Sequence, residues 1–255
     1  MADKVLKSLV KNQAKLRDKN AKIFSVKLRR LLDSYLPKVL SFDGIELDEA
    51  ASVIGGLQTG LIEAGLGDLV DDLRESYNEE LQTLNAMLSP FTTKKIFSTA
   101  DKEIVETLID YNGEKIKNLV APYIDDVGST ALRYAITGEK PDIDAILEKA
   151  GDTLEYQVET EVNTLLSGFS RTVSAKKAAE FELGLFLYYG PDDKITRDFC
   201  EELLNESPPI YTLEEIEAMD NDQGLDVLTN CGGYNCRHQW IPITEEKALE
   251  LGYKV

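Results

Sequence analysis

The chain has 255 residues, a length that allows one large domain or two small ones with a substantial core. Hydrophobic residues make up 43% of it, which argues against a disordered chain. Its formal net charge of −18 makes wrapping of nucleic acid unfavourable, because an acidic body repels backbone phosphates. The most apolar long stretch, residues 51–70, is interrupted by Gln58, Glu63 and Asp68, so we expect a core helix there and no membrane span.

The first predicted element is a long basic helix. Apolar residues recur mostly at steps of three or four from Val5 to Tyr35, which predicts a helix over residues 2–36 that Pro37 ends. Residues 1–40 hold eleven Lys or Arg against three Asp, a local charge of +8, whereas the rest of the chain carries −26. The N-terminus lacks an apolar block and a small-residue cleavage site, so we expect no signal peptide.

The middle of this helix has few apolar residues. Because the pattern is thin between Leu9 and Ile23, we expect this portion to project from the body and to pack against other chains. The alternative is a solvated amphipathic helix on the protein's own surface. The candidates for contact with DNA or an acidic partner are Lys4, Lys7, Lys11, Lys15, Arg17, Lys19 and Lys22.

The following residues predict a series of shorter helices separated by turns. Helical spacing between glycine, proline and serine breakers predicts helices over about 47–64, 66–88, 98–124, 131–136, 142–149, 153–166 and 174–181. We expect Gly128, Gly151 and the Ser167–Gly168 pair to end or interrupt these helices.

The pattern changes after residue 181. Residues 182–189 and 239–243 predict strands, residues 196–204 predict a short helix, and Thr212 and Thr244 are candidates for helix caps, with Glu215 completing a capping box. The predicted class is therefore mainly α. We expect a basic projecting helix over residues 1–40, an elongated acidic helical body over 41–180 and a small α+β module over 181–255.

All the cysteines and the only histidine of the chain lie in this module: Cys200, Cys231, Cys236 and His238. Three thiolates and an imidazole are a standard ligand set for structural zinc, and Gly232–Gly233 would let the backbone fold tightly between two of them. A metal would also stabilise a module with little core. Two alternatives stay open: thiols that pack as small apolar groups beside a hydrogen-bonded histidine, or a Cys200–Cys236 disulfide, which a reducing cytoplasm disfavours.

The arginines near these ligands have a structural interpretation and a functional one. Arg197 and Arg237 are placed to pair with Asp193 or Asp198 through bidentate bonds that hold loops together. The functional alternative is an anion site.

Aromatic residues and a Cys–His pair complete the region. Tyr234 and Trp240 are more typical of core anchors than of platforms for nucleic-acid bases, since no basic residues are interleaved with them. Cys236 and His238 would share a strand face, but the sequence offers no third group to orient them and no second histidine. We therefore expect that the protein is not an enzyme.

The C-terminal residues resemble the Mu F-like minor head proteins of tailed bacteriophages, also called phage head morphogenesis proteins. The family signature is an aromatic strand followed by Gly-Pro-x-Asp, Thr-Arg-x-Phe-Cys, Tyr-Thr-x-Glu-Glu-Ile and Gly-Gly-Tyr-x-Cys-Arg-His-x-Trp-x-Pro. The matching residues are Gly190, Pro191, Asp193, Thr196, Arg197, Phe199, Cys200, Tyr211, Thr212, Glu215, Ile216, Gly232, Gly233, Tyr234, Cys236, Arg237, His238, Trp240 and Pro242. Cys231 lies outside this signature.

The resemblance implies a virion protein that is made in the host cytoplasm and resides in the phage head. Its expected partners are the portal protein, the major capsid protein or both, within a multi-subunit assembly and with no membrane. Such proteins are linked to head assembly and to genome delivery. One alternative is an ejected internal protein that contacts packaged DNA through the basic helix, and a more remote one is an enzyme effector.

Overall fold

The computed structural model describes residues 2–40, 47–91, 96–97, 99–137 and 142–254. The predicted class is confirmed, since the protein is mainly α with a small α+β module near its C-terminus. The helices that precede the module are α1 (Ala2–Val39), α2 (Leu47–Gly55), α3 (Leu57–Leu61), α4 (Gly67–Leu88), α5 (Thr99–Thr137) and α6 (Ile143–Glu180). A π-helical turn, Ile62–Leu66, joins α3 to α4, and a 3-10 turn, Ser89–Phe91, follows α4.

The module is built on a three-stranded antiparallel sheet. Its strands are β1 (Leu185–Tyr189), β2 (Ile210–Thr212) and β3 (Gln239–Ile243), in the order β2-β1-β3. Leu187 of the central strand pairs with Ile210 on one side and with Ile241 on the other. The short helices around the sheet are α7 (Asp198–Asn205), α8 (Leu213–Glu217), α9 (Val227–Asn230) and α10 (Glu245–Glu250).

The predicted caps of this module are confirmed. The Thr212 hydroxyl accepts from the backbone N–H of Glu215, and the Glu215 carboxylate accepts from the backbone N–H of Thr212, which is the reciprocal capping box. Thr244 caps α10 by accepting from the backbone N–H of Lys247. These short helices therefore begin where the sequence places their caps.

The chain divides into two units. The first comprises Met1–Lys19, Glu75–Ile109 and Glu161–Val255, and the second comprises Asn20–Arg74 and Asp110–Thr160. Helices α1, α4, α5 and α6 each contribute residues to both units. The boundaries that the sequence suggests at residues 40 and 180 stay predictions.

The expectation that α1 projects from the body between Leu9 and Ile23 is wrong. Val10 and Ala14 are buried there, and so are the polar side chains of Gln13 and Arg17. The apolar pattern is thin because this part of the helix buries polar groups that have hydrogen-bond partners, and hydrophobic spacing does not register such positions.

Several predicted helix ends are absent. Pro37 lies inside α1, while Gly128 and Gly151 lie inside α5 and α6. A Cβ atom at Gly128 would lie 2.8 Å from Cδ1 of Leu57, and one at Gly151 would overlap the guanidinium of Arg29. Glycine marks a close approach at these two positions, and the helices continue through them. The Ser167–Gly168 pair also lies within α6.

In the part of the chain that the structure describes, no helix combines the length and the apolarity that a bilayer crossing requires.

Candidate metal centre

Three of the four predicted ligands come together. Cys200 lies in α7, and Cys236 and His238 lie just before β3. The Sγ atoms of Cys200 and Cys236 are 3.8 Å apart, and Cys236 Sγ is 3.5 Å from Nδ1 of His238. The ligand atoms of all three residues lie within 4.8 Å of one another, and the three side chains are buried. We call Cys200, Cys236 and His238 the ligand cluster.

The spacing of the ligand cluster fits a tetrahedral ion. Metal–sulfur bonds of about 2.3 Å and metal–nitrogen bonds of about 2.0 Å, at tetrahedral angles, separate two sulfurs by about 3.8 Å and a sulfur from a nitrogen by about 3.5 Å. The corresponding distances here are 3.8 Å and 3.5 Å. The cluster therefore has the donor types and two of the separations that a metal ion requires.

The fourth predicted ligand, Cys231, lies beside the cluster without belonging to it. Its thiol donates to the carbonyl oxygen of His238 over 3.6 Å. Burial, and then the neighbouring Cys236, raise the pKa of the Cys231 thiol well above its ordinary value. All three cysteines of the chain are free, so the structure contains no Cys200–Cys236 disulfide.

The two cysteines of the cluster differ in acidity. Hydrogen bonding with Cys200, then with Cys231 and His238, lowers the pKa of Cys236 well below its ordinary value, and the nearby Arg171 acts in the same direction. The same Cys200–Cys236 contact, followed by burial, raises the pKa of Cys200. Cys236 is therefore the more acidic of the two thiols.

Arg171, on α6, holds the segment that carries the ligands. It is 2% exposed, and its guanidinium donates to the carbonyl oxygens of Thr229 (3.2 Å), Cys236 (2.6 Å) and His238 (2.7 and 3.1 Å). The sequence analysis missed this residue. The available signal was that Arg171 is the only charged residue between positions 162 and 175.

Aromatic rings fix the position of the histidine. The His238 ring stacks on Tyr188 with a centroid distance of 5.2 Å and an interplanar angle of 6°, and Tyr188 packs in turn against Trp240. Trp240 is 2% exposed and donates from Nε1 to the carbonyl oxygen of Val227, so its assignment as a core anchor is confirmed. Tyr234 is 48% exposed, and the same assignment is wrong for it.

The two arginines of the signature have different partners. Arg237 makes a bidentate pair with Asp193, at 2.6 and 2.7 Å, as the sequence suggests. This pairing lowers the pKa of Asp193 to about 2. Arg197 is exposed and donates instead to the carbonyl oxygen of Tyr234. Both arginines therefore hold loop segments of the module together.

Two glycines of the signature border the ligand cluster. A Cβ atom at Gly190 would overlap the imidazole of His238, and one at Gly232 would overlap the Sγ atom of Cys200. Gly232 also donates its backbone N–H to the Sγ atom of Cys236 over 3.4 Å. Its neighbour Gly233 has a positive φ of 95°, which side chains rarely adopt. Phe199, another signature residue, packs against the module core. Pro242 of the signature lies in β3 and pairs with Phe186 of β1.

We expect Gly232→Ala to lower the free energy of unfolding by about 2 kcal/mol, because the added methyl group displaces the Cys200 thiol from a filled core. Gly184→Ala is the matched control, since a Cβ atom there would have nothing within 4 Å. Urea unfolding followed by tryptophan fluorescence reports on the module through Trp240, the only tryptophan. Equal midpoints for the two variants would contradict the proposed crowding.

The basic residues of α1 occupy different environments. Arg17 is buried and makes two bonds of 2.7 Å to the carboxylate of Glu80, so its assignment as a partner contact is wrong. The pattern suggested exposure because it does not reveal a buried acidic partner on α4. Five of the other candidates are exposed, and their contacts with other molecules stay predictions: Lys7, Lys11, Lys15, Lys19 and Lys22. The side chain of Lys4 lies outside the described residues.

Comparisons of the chain with protein-family models, with curated proteins and with solved structures find no match. The relation to phage head proteins therefore rests on the C-terminal signature and stays a prediction.

Proposed function

We propose that this chain is a structural component of a bacteriophage head, a minor head protein that contacts the portal protein, the major capsid protein or both. The observation that carries the proposal is the C-terminal signature over residues 190–242. Within the described residues, members of this signature have architectural roles. Arg237 pairs with Asp193, Trp240 fills the core, and Gly232 gives Cys200 its space.

A structural role also agrees with the surroundings of the Cys236–His238 pair. Cys236 is 4% exposed and receives hydrogen bonds from its neighbours, and the His238 ring is held against Tyr188. A Cys–His nucleophile pair needs a third group that orients the imidazole. Nε2 of His238 has no hydrogen-bond partner among the described residues, which favours an interaction protein over an enzyme.

The proposal is tested on particles from cells infected with the phage that encodes the chain. We expect the chain to copurify with proheads and virions, and we expect cross-linking to join it to portal or capsid subunits. Cryo-electron microscopy without imposed symmetry then locates it at the portal vertex. Its absence from both purified proheads and purified virions would refute the proposal.

A second candidate function is contact with packaged DNA through α1. Lys7, Lys11, Lys15 and Lys19 are exposed, and their spacing of four residues places neighbours on the same face of the helix. Binding of duplex DNA should then weaken steeply with added salt, and Lys11→Glu with Lys15→Glu should abolish it. Lys102→Glu with Lys115→Glu, at exposed positions of α5, supplies the same change in charge as a control. Undetectable binding of the unchanged chain at low salt would remove this candidate.

We propose further that the ion suited to the ligand cluster is zinc, in a structural role. Zinc prefers thiolate and imidazole ligands in a tetrahedron, which matches the donors of Cys200, Cys236 and His238. A metal binds cysteine as the thiolate, so the thiols of the cluster would lose their protons on binding. The ion would then tie α7 to the segment before β3.

A further inference from the structure

We infer that zinc in the ligand cluster has only three protein ligands, and that its fourth coordination position opens on a cavity where water exchanges for small anions. The inference rests on the zinc proposal above. It makes the site a binding site for an exogenous anion as well as a structural link.

The donor count supports this inference. Cys200, Cys236 and His238 form a group of ligand atoms, and Cys231 is not a member of it. The Cys231 thiol is directed to the carbonyl oxygen of His238, and the side chain is fully buried. A tetrahedral ion held by the cluster therefore needs a fourth ligand from elsewhere.

A cavity is present where that ligand would enter. Its volume is about 280 Å³, and Cys200, Cys236 and His238 all line it, whereas Cys231 does not. This volume holds several waters or a small anion. Asp18 lines the same cavity without being part of the ligand group, so its carboxylate is a competing donor that the experiment must address.

The histidine has a second nitrogen that is buried and unpaired. His238 is 2% exposed, and its Nε2 atom has no hydrogen-bond partner among the residues that the structure describes. A metal-bound histidine usually donates its second N–H to an acceptor. Because Nδ1 is the nitrogen 3.5 Å from the Cys236 sulfur, Nε2 on the other side of the ring would need a separate water as its acceptor.

The charge of the site favours an anion over a neutral ligand. Zinc with two thiolates is neutral. Around it, the guanidinium groups of Arg171, Arg197 and Arg237 outnumber the carboxylates of Asp18 and Asp193 by one. An anion in the fourth position would bring this local charge to zero. The expected ligand class is therefore a small monovalent anion, for which azide is the probe.

The test uses the full chain, purified with zinc and then loaded with Co²⁺, whose visible absorption reports its coordination. We expect about one zinc per chain in the unchanged protein and in Cys231→Ser, and a loss of most of the metal in Cys200→Ser and Cys236→Ser. Azide should change the Co²⁺ spectrum of the unchanged protein saturably, and it should do the same in Asp18→Asn.

The outcomes separate the two proposals. Bound metal with a spectrum that azide leaves unchanged would overturn the open position and leave the zinc proposal standing. Loss of metal in Cys231→Ser, with the variant still folded by circular dichroism, would also overturn it, because Cys231 would then be the fourth ligand. A folded protein that binds neither zinc nor Co²⁺ would overturn both proposals.

Discussion

Replacing Arg171 by methionine should lower the free energy of unfolding by about 3–5 kcal/mol, because it removes the donor that two buried carbonyl groups and one partly buried carbonyl group share. The methionine side chain fills much of the same volume, so the loss measures hydrogen bonding more than packing. The carbonyls of Thr229, Cys236 and His238 would be left without the guanidinium. Chemical denaturation followed by fluorescence and by circular dichroism gives the free energy.

Arg197→Met is the matched control for this prediction. Arg197 is exposed and donates one hydrogen bond to the carbonyl oxygen of Tyr234, so its replacement should cost about 1 kcal/mol or less. The loss of free energy of unfolding in Arg171→Lys should lie between the losses in Arg171→Met and Arg197→Met, since an ammonium group cannot reproduce the planar set of donors of a guanidinium. A cost at position 171 no larger than that at 197 would show that the buried guanidinium does not hold the ligand segment.

The second large effect concerns the buried pair of Arg17 and Glu80. Each single change, Arg17→Met or Glu80→Leu, should cost about 3–5 kcal/mol, because it leaves the other charge buried without its partner. The double variant should lie within about 1–2 kcal/mol of the unchanged protein, since no charge is then stranded. The side chains are 3% and 2% exposed, so solvent cannot compensate for a missing partner.

A double-mutant cycle gives the interaction energy directly. The comparison pair is Lys27 and Asp72, which are linked at 2.8 Å but are 49% and 60% exposed. Breaking this exposed pair should cost at most about 1 kcal/mol. Additive effects at Arg17 and Glu80 would mean that the two charges do not stabilise one another.

The fold class was predictable because its signals are local. Apolar spacing indicates the long helices, and hydroxyl side chains at Thr212 and Thr244 mark the beginnings of short ones. The predicted helix ends at Gly128 and Gly151 failed for a physical reason. A glycine that ends a helix and a glycine that admits a neighbouring side chain look the same in one sequence, and only the packing separates them.

The site was predictable in its members and not in its arrangement. The grouping of Cys200, Cys236 and His238 follows from the rarity of these residue types in the chain. The Cys231 thiol and the Arg171 guanidinium both donate to backbone carbonyl oxygens. Which carbonyl groups point into the core depends on the folded backbone and cannot be read from the types of side chain in the sequence. The burial of Arg17 was hidden similarly, because its carboxylate partner lies 63 positions away.

The outer strand β3 limits how this protein can join others. Among the described strands it borders only β1, yet all five of its residues are buried, and one of them is Pro242, which has no amide hydrogen. An exposed edge strand can pair with a strand of another molecule, which is a common route to fibrils and to β-augmented complexes. That route is closed along β3, so docking onto neighbouring subunits must rely on other surfaces.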